Sequence, residues 1–240
     1  MSSLDLPLPK GFVRLIDVDS SIIQSLRYCS AENFTGAIIN GYPANDSAPQ
    51  SAAIMSRQAA KALSNAQKQF LKDGYCMVLY DSYRPQKAVN HFVTWSQDLS
   101  TQGQLLQSQF FPRVDKSKVF ELGYIAERSG HSRGSTVDVT LIELHKTLCA
   151  LQFSEREYPQ SPGYVIPFLD DNTVDMGSSF DLFDEASHHD SVRVLGAHIE
   201  RRNYLRRVMG EHGFRDYDQE WWHYTLRDEP FASTYFDFSW

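Results

Sequence analysis

The sequence predicts an α+β domain: a mostly antiparallel central sheet with helices packed on it. Three observations predict it. Residues 51–73 and 192–209 repeat apolar side chains at helical spacing. Residues 75–80, 136–141, 214–217 and 220–226 are short runs rich in β-branched and aromatic residues. No repeat or low-complexity linker breaks the 240 residues, which favours one domain over 1–240.

The elements follow in order. Residues 13–17 suggest a short strand. Residues 33–50 are rich in Gly, Pro, Asn and Ser and read as loop. A long amphipathic helix is expected over 51–73, with Ile54, Ala59, Leu63, Ala66, Phe70 and Leu71 on its stripe and Gly74 as its stop. Tyr75–Tyr80 fits a buried strand, and Asp81–Pro85 leaves its end. A second helix runs over about 86–98, with Ala88, Phe92 and Trp95 on one side. Residues 120–141 read as strand, turn, strand, punctuated by Gly130 and Gly134. Residues 155–180 hold Pro159, Pro162, Gly163, Pro167 and Gly177 and read as an excursion of loops. Leu195, Ile199, Leu205 and Val208 form the stripe of the third helix, and two strands close the chain.

Composition removes several function classes. The formal net charge of -7 offers no basic field to nucleic acid or anionic lipid. Three widely spaced cysteines, Cys29, Cys76 and Cys149, make no Cys-x-x-Cys pair, which argues against a disulfide framework or a thiolate zinc site. No apolar run reaches the length of a membrane span. The first nine residues lack a basic region followed by an apolar core. The expected compartment is therefore the cytoplasm, or the periplasm if a leader preceded these residues. Oligomeric state is not legible.

Two clusters carry chemistry: Ser129–Asp138 and Glu220–His223. A catalytic zinc takes about three His or carboxylate ligands with an open position for water, and a nearby base. His131, Asp138 and His223 can supply the ligands, and Glu220, three residues before a ligand, the base. A turn at Ser132–Gly134 can bring His131 and Asp138 to one spot. Glu220 and His223 have opposite parity in a regular strand, so their convergence predicts a bulge or a strand-end twist. Each cluster alone has a plain structural reading; together they supply what each lacks. The metalloprotease signature His-Glu-x-x-His is absent, and His188–His189 reads as a loop or capping pair because adjacent side chains diverge.

With these residues in place, the chain resembles the zinc D-alanyl-D-alanine dipeptidases of the VanX type, a family with a hedgehog-like fold. Its pattern Ser-x-His-x-x-Gly-x-Ala-x-Asp, then Glu-x-x-His, is matched at Ser129, His131, Gly134, Asp138, Glu220 and His223. Asn33–Gly36, Asp81–Pro85, Met176–Asp181, Glu220–Pro230 and Ser233–Phe238 also look like segments of that family. Thr136 stands where Ala is usual, which would tighten the pocket. The stretch 142–175 matches poorly and is expected to be an insertion. The resemblance implies one zinc per chain and a small dipeptide substrate, D-Ala-D-Ala. It implies Arg84 as the oxyanion donor, Asp181 and Tyr28 as holders of the substrate ammonium, and Ser129 as a substrate contact. Two alternatives stay open: a D,D- or L,D-carboxypeptidase acting on longer cell-wall peptides, and a non-catalytic zinc-stabilised binding module.

Overall fold

A computed structural model describes residues 7–43, 52–98 and 104–240. The part of the predicted loop over 44–50 and the predicted helix start at residue 51 lie outside the described residues. Nine strands and four helices are described: β1 (Phe12–Arg14), β2 (Ile23–Gln24), β3 (Ile54–Ser56), α1 (Arg57–Lys72), β4 (Tyr75–Asp81), α2 (Gln86–Gln97), α3 (Gln104–Phe110), β5 (Thr136–Glu143), β6 (Gln152–Glu157), β7 (Val165–Asp170), α4 (Gly196–Glu211), β8 (Phe214–Tyr217) and β9 (Glu220–Leu226).

The central sheet has the order β2-β4-β5-β9-β8, with only the short β2–β4 pair parallel. The α+β expectation of a mostly antiparallel sheet therefore holds. Val137, Val139 and Leu141 of β5 enter the principal core, whereas Ile142 joins a cluster with Val78 and Tyr80. This is strand alternation with both faces covered. Helix α1 packs on β4 and α4, and α4 packs on β8 and β9.

Several elements differ from the sequence reading. The first strand stops at Arg14, and Leu15–Asp17 is a 3-10 turn. Ile54–Ser56 pairs with β1 as a strand before α1 begins. The helix is delayed because Ser56 is extended and its Oγ accepts from the Ala59 N–H at 3.3 Å, a side-chain N-cap. No strand forms over 120–135; turns and a 3-10 turn at Gly130–Arg133 take its place. The excursion over 155–180 contains the β6–β7 ribbon, where Pro167 pairs with Glu155. In a two-stranded ribbon each strand is an edge, so proline is tolerated there. Helix α4 starts at Gly196, later than expected, and Leu195 is its extended N-cap residue, 37% exposed. Helix α3 has no counterpart in the sequence reading.

The chain's last residues form an aromatic strap. Phe12 meets Phe231, Phe236 and Phe238 with ring centroids 5.0–5.6 Å apart, and Tyr83 stacks on Phe238 at 4.3 Å. The strap is bonded to the loops that carry the site: Phe236 N–H donates to Ser132 O at 2.8 Å, and Gln86 N–H donates to Phe236 O at 3.0 Å. Gly134 fits beneath it at φ +80°, where a Cβ would lie 2.4 Å from the Phe12 ring.

Candidate active site

Sheet register brings three acidic and imidazole side chains together. Asp81 on β4 lies opposite Asp138 on β5, and Asp138 lies opposite His223 on β9. His131 arrives from the 3-10 turn just before β5, whose first N–H groups are capped by Ser129. Pairing between β8 and β9 is irregular: Asp216 faces Tyr224, yet Tyr217 faces Glu220. This break in register is the bulge that parity demanded, and it leaves Glu220 Oε2 3.5 Å from His223 Nδ1.

The donor atoms of His131, Asp138 and His223 all lie within 4.8 Å of one another. His131 Nε2 is 3.3 Å from Asp138 Oδ2, and His223 Nδ1 is 3.1 Å from Asp138 Oδ1. These residues fit a metal. His131 Nδ1 lies 2.7 Å from Ser82 O, a bond that needs its N–H and so leaves the buried Nε2 as a bare lone pair. That Nε2 has no hydrogen-bond partner among the described residues, in a core where orphaned polar atoms are costly. Burial lowers the pKa of His223 against the pull of Asp138, which favours the neutral, ligating imidazole. Burial would raise the Asp138 carboxyl, but the two imidazoles hold it well below the usual range.

All eight residues singled out in the sequence line one cavity of about 230 Å³. Arg84 donates from Nε and Nη2 to Asp81 at 3.0 and 2.8 Å, and its Nη2 is 3.7 Å from Asp138. Its guanidinium lies over the rings of Tyr28 and Phe92, 5.0 and 5.2 Å from their centroids. Tyr28 donates to Asp181 Oδ2 at 2.8 Å. Asp181 holds a left-handed φ of 59°, rare outside glycine. Burial, and then Asp138, push its carboxyl well above its ordinary pKa. Glu220 is likewise pushed up by burial and by Asp138 and Asp181.

Two details correct or extend the sequence reading. Thr136 is not among the residues that line the cavity, and its hydroxyl pairs with that of Thr225 across β5 and β9 at 2.9 Å. Asp81 was legible only as part of the Asp81–Pro85 segment, yet it fixes Arg84 and accepts from Tyr42 at 2.7 Å. His188 and His189 lie apart from the metal-ligand group, and His188 ends a 3-10 turn.

A largely buried two-histidine, one-aspartate cluster, a carboxylate three residues from one of these histidines and a fixed arginine on an α+β sheet define a metallopeptidase. The family profile described as D-Ala-D-Ala dipeptidase matches residues 9–152 and 168–240. The chain belongs to that family. It is 33% identical to a D-alanyl-D-alanine dipeptidase of Enterococcus faecium, over 95% of this chain and 97% of the relative. It is 35% identical to one of Streptomyces coelicolor, over 95% and 96%. A more distant relative of the same name in Escherichia coli is 28% identical over 88% and 80%.

Proposed function

We propose that this chain hydrolyses the free dipeptide D-Ala-D-Ala to two D-alanines, with one zinc ion held by His131, Asp138 and His223. The observation that carries the reading is the convergence of those donors with Glu220, Arg84 and Asp181 on one cavity. The near full-length likeness to dipeptidases of that name supports the substrate.

Bound zinc would supply Lewis acidity, polarising a carbonyl oxygen and acidifying water towards neutrality. Glu220 is the proton carrier: it takes a proton from the attacking water and returns it to the leaving amine. Its burial among other carboxylates gives it the raised basicity this task needs. Arg84 Nη1 makes no hydrogen bond among the described residues and is the donor offered to the developing oxyanion, while Asp81 holds the other edge of the fork. Asp181, with Tyr28, takes the substrate ammonium. A buried carboxylate with no cation within ion-pair distance among the described residues is stabilised by one that arrives with the substrate. The Ser129 hydroxyl accepts from the His131 N–H at 3.3 Å and keeps its own proton for substrate.

The ammonium site favours the dipeptidase over a carboxypeptidase of longer peptides. We read residues 153–167, outside the family match, as an insertion narrower than 142–175 that forms the β6–β7 ribbon of the same domain. The free thiols of Cys29, Cys76 and Cys149 support a reducing compartment, the cytoplasm. No described helix is long and apolar enough to cross a membrane.

The test is hydrolysis of D-Ala-D-Ala beside L-Ala-L-Ala and an amine-blocked D-Ala-D-Ala, before and after chelation and zinc restoration. Zinc-dependent release of D-alanine from the free D,D dipeptide alone is expected. Preference for the blocked peptide would remove Asp181 as the ammonium site, and silence on all three with zinc bound would remove the dipeptidase.

A further inference from the structure

The segment Met176–His188 carries Asp181 at its left-handed φ, and it contains no regular element longer than the 3-10 turn Glu185–Ser187. Something outside the segment must hold it. On α4, behind the segment and away from the cavity lining, Arg202 is 0% exposed. Its Nε donates to Met176 O at 2.8 Å and its Nη1 to His188 O at 2.6 Å. Its Nη2 donates to Ala186 O at 2.8 Å and to Ser178 Oγ at 3.3 Å. The acceptors lie at both ends of the segment, with Asp181 between them.

A fully buried guanidinium is expensive, and here no carboxylate lies within ion-pair distance of it among the described residues. Its bonds go to carbonyls and one hydroxyl, which fix position and neutralise nothing. The planar fork suits this task; a lysine has the charge but not the geometry. The clamp also reaches the metal strand, because Ser178 Oγ accepts from Trp221 Nε1 at 2.9 Å, next to Glu220 on β9. One guanidinium thereby sets the ammonium anchor against the strand that carries Glu220 and His223.

We propose that Arg202 is a positioning residue for substrate recognition: it holds Met176–His188 so that Asp181 stands at the ammonium of the substrate. The inference rests on the reading of Asp181 given above. Arg202 touches neither substrate nor metal ligands, so its loss should weaken recognition more than chemistry.

The experiment is a double-mutant cycle on the zinc-loaded full chain, with KM and kcat for D-Ala-D-Ala, zinc content and near-UV circular dichroism as readouts. Asp181→Asn and Arg202→Lys should each raise KM, Arg202→Lys by about tenfold with kcat within about threefold of wild type and zinc still one per chain. In the Asp181→Asn background, Arg202→Lys should add less than about twofold, because the group it positions is gone. Ser178→Ala removes one acceptor, leaves the arginine bonded to three carbonyls, and should give a smaller KM rise with the same dependence on Asp181. It carries the test if Arg202→Lys does not fold. Raised KM in Asp181→Asn without a rise in Arg202→Lys or Ser178→Ala overturns the positioning role alone. Effects that add in full on top of Asp181→Asn do the same, since a general structural role is additive. An unchanged KM in Asp181→Asn overturns the anchor reading and the positioning role with it.

Discussion

Replacing His131 by alanine removes an imidazole whose Nδ1 is committed to Ser82 and whose Nε2 makes no hydrogen bond among the described residues. The variant should lose stoichiometric zinc, read by metal analysis after dialysis. Glu220→Gln keeps shape but cannot take a proton, so zinc should stay bound while kcat falls by about 10²–10⁴. Arg84→Lys loses the fork that Asp81 orients, and a kcat loss of about 10²–10³ with zinc retained is expected from a missing oxyanion donor. The convergence of His131, Asp138 and His223 was legible in the sequence from the turn that separates the first two, and the mismatch of parity between Glu220 and His223 announced the break in register. Thr136 was not legible, since the group that occupies its hydroxyl, Thr225, stands 89 residues away. Arg202 was equally silent: nothing in a helical run of arginines says which one is buried, and its neighbours Arg201 and Arg206 keep some exposure.

Among the elements, the aromatic strap and the β6–β7 ribbon do most to hold the site from outside it. Trp240 is 4% exposed, packs on Tyr42 and Tyr83, and donates to Ala52 O at 2.5 Å. Trp240→Ala should cost about 3–5 kcal/mol by chemical denaturation, the range for a buried aromatic, and lower kcat through the Arg84 loop. In the ribbon, Ile166 and Tyr158 pack on Leu182 and Ala186, and Leu169 N–H donates to Ser179 Oγ at 2.6 Å. The ribbon therefore backs the Asp181 segment on one side, as Arg202 does on another. Its strands escaped the sequence reading because Pro159, Pro162, Gly163 and Pro167 break the alternation, and an isolated ribbon needs no regular apolar face. β3 was absorbed into the predicted helix because Ile54 was counted on its stripe, although it stands five residues from Ala59, about 140° round a helix, and the cap at Ser56 sets the true start.

For the molecule as a whole, stability should depend on acid through a histidine outside the candidate metal-ligand group. Burial pushes His189 from 6.5 down to about 4, with Arg206 adding to the effect and Asp216, 3.9 Å away, opposing it. The unfolded chain takes up this proton before the folded one does. The stabilisation is thus complete above the unfolded pKa and is lost as pH falls towards the folded value, a window between about 6.5 and about 4. At about 1.4 kcal/mol per unit, the loss is on the order of 3 kcal/mol. His189→Gln should flatten that part of the Tm-against-pH curve; an unchanged slope would exclude His189 as its source.

Strand order has a further consequence for synthesis. β5, buried along nearly all its length, reaches its partner β9 only after some eighty more residues have been made. Until then the edge of β5 that faces β9 is unpaired, and His131 and Asp138 stand without His223. A nascent chain on the ribosome therefore exposes an apolar strand edge during translation of residues 144–219, open to mispairing or to a chaperone. Capture of a metal by all three candidate donors must follow synthesis of His223, so a fragment that stops before β9 offers at most two of them.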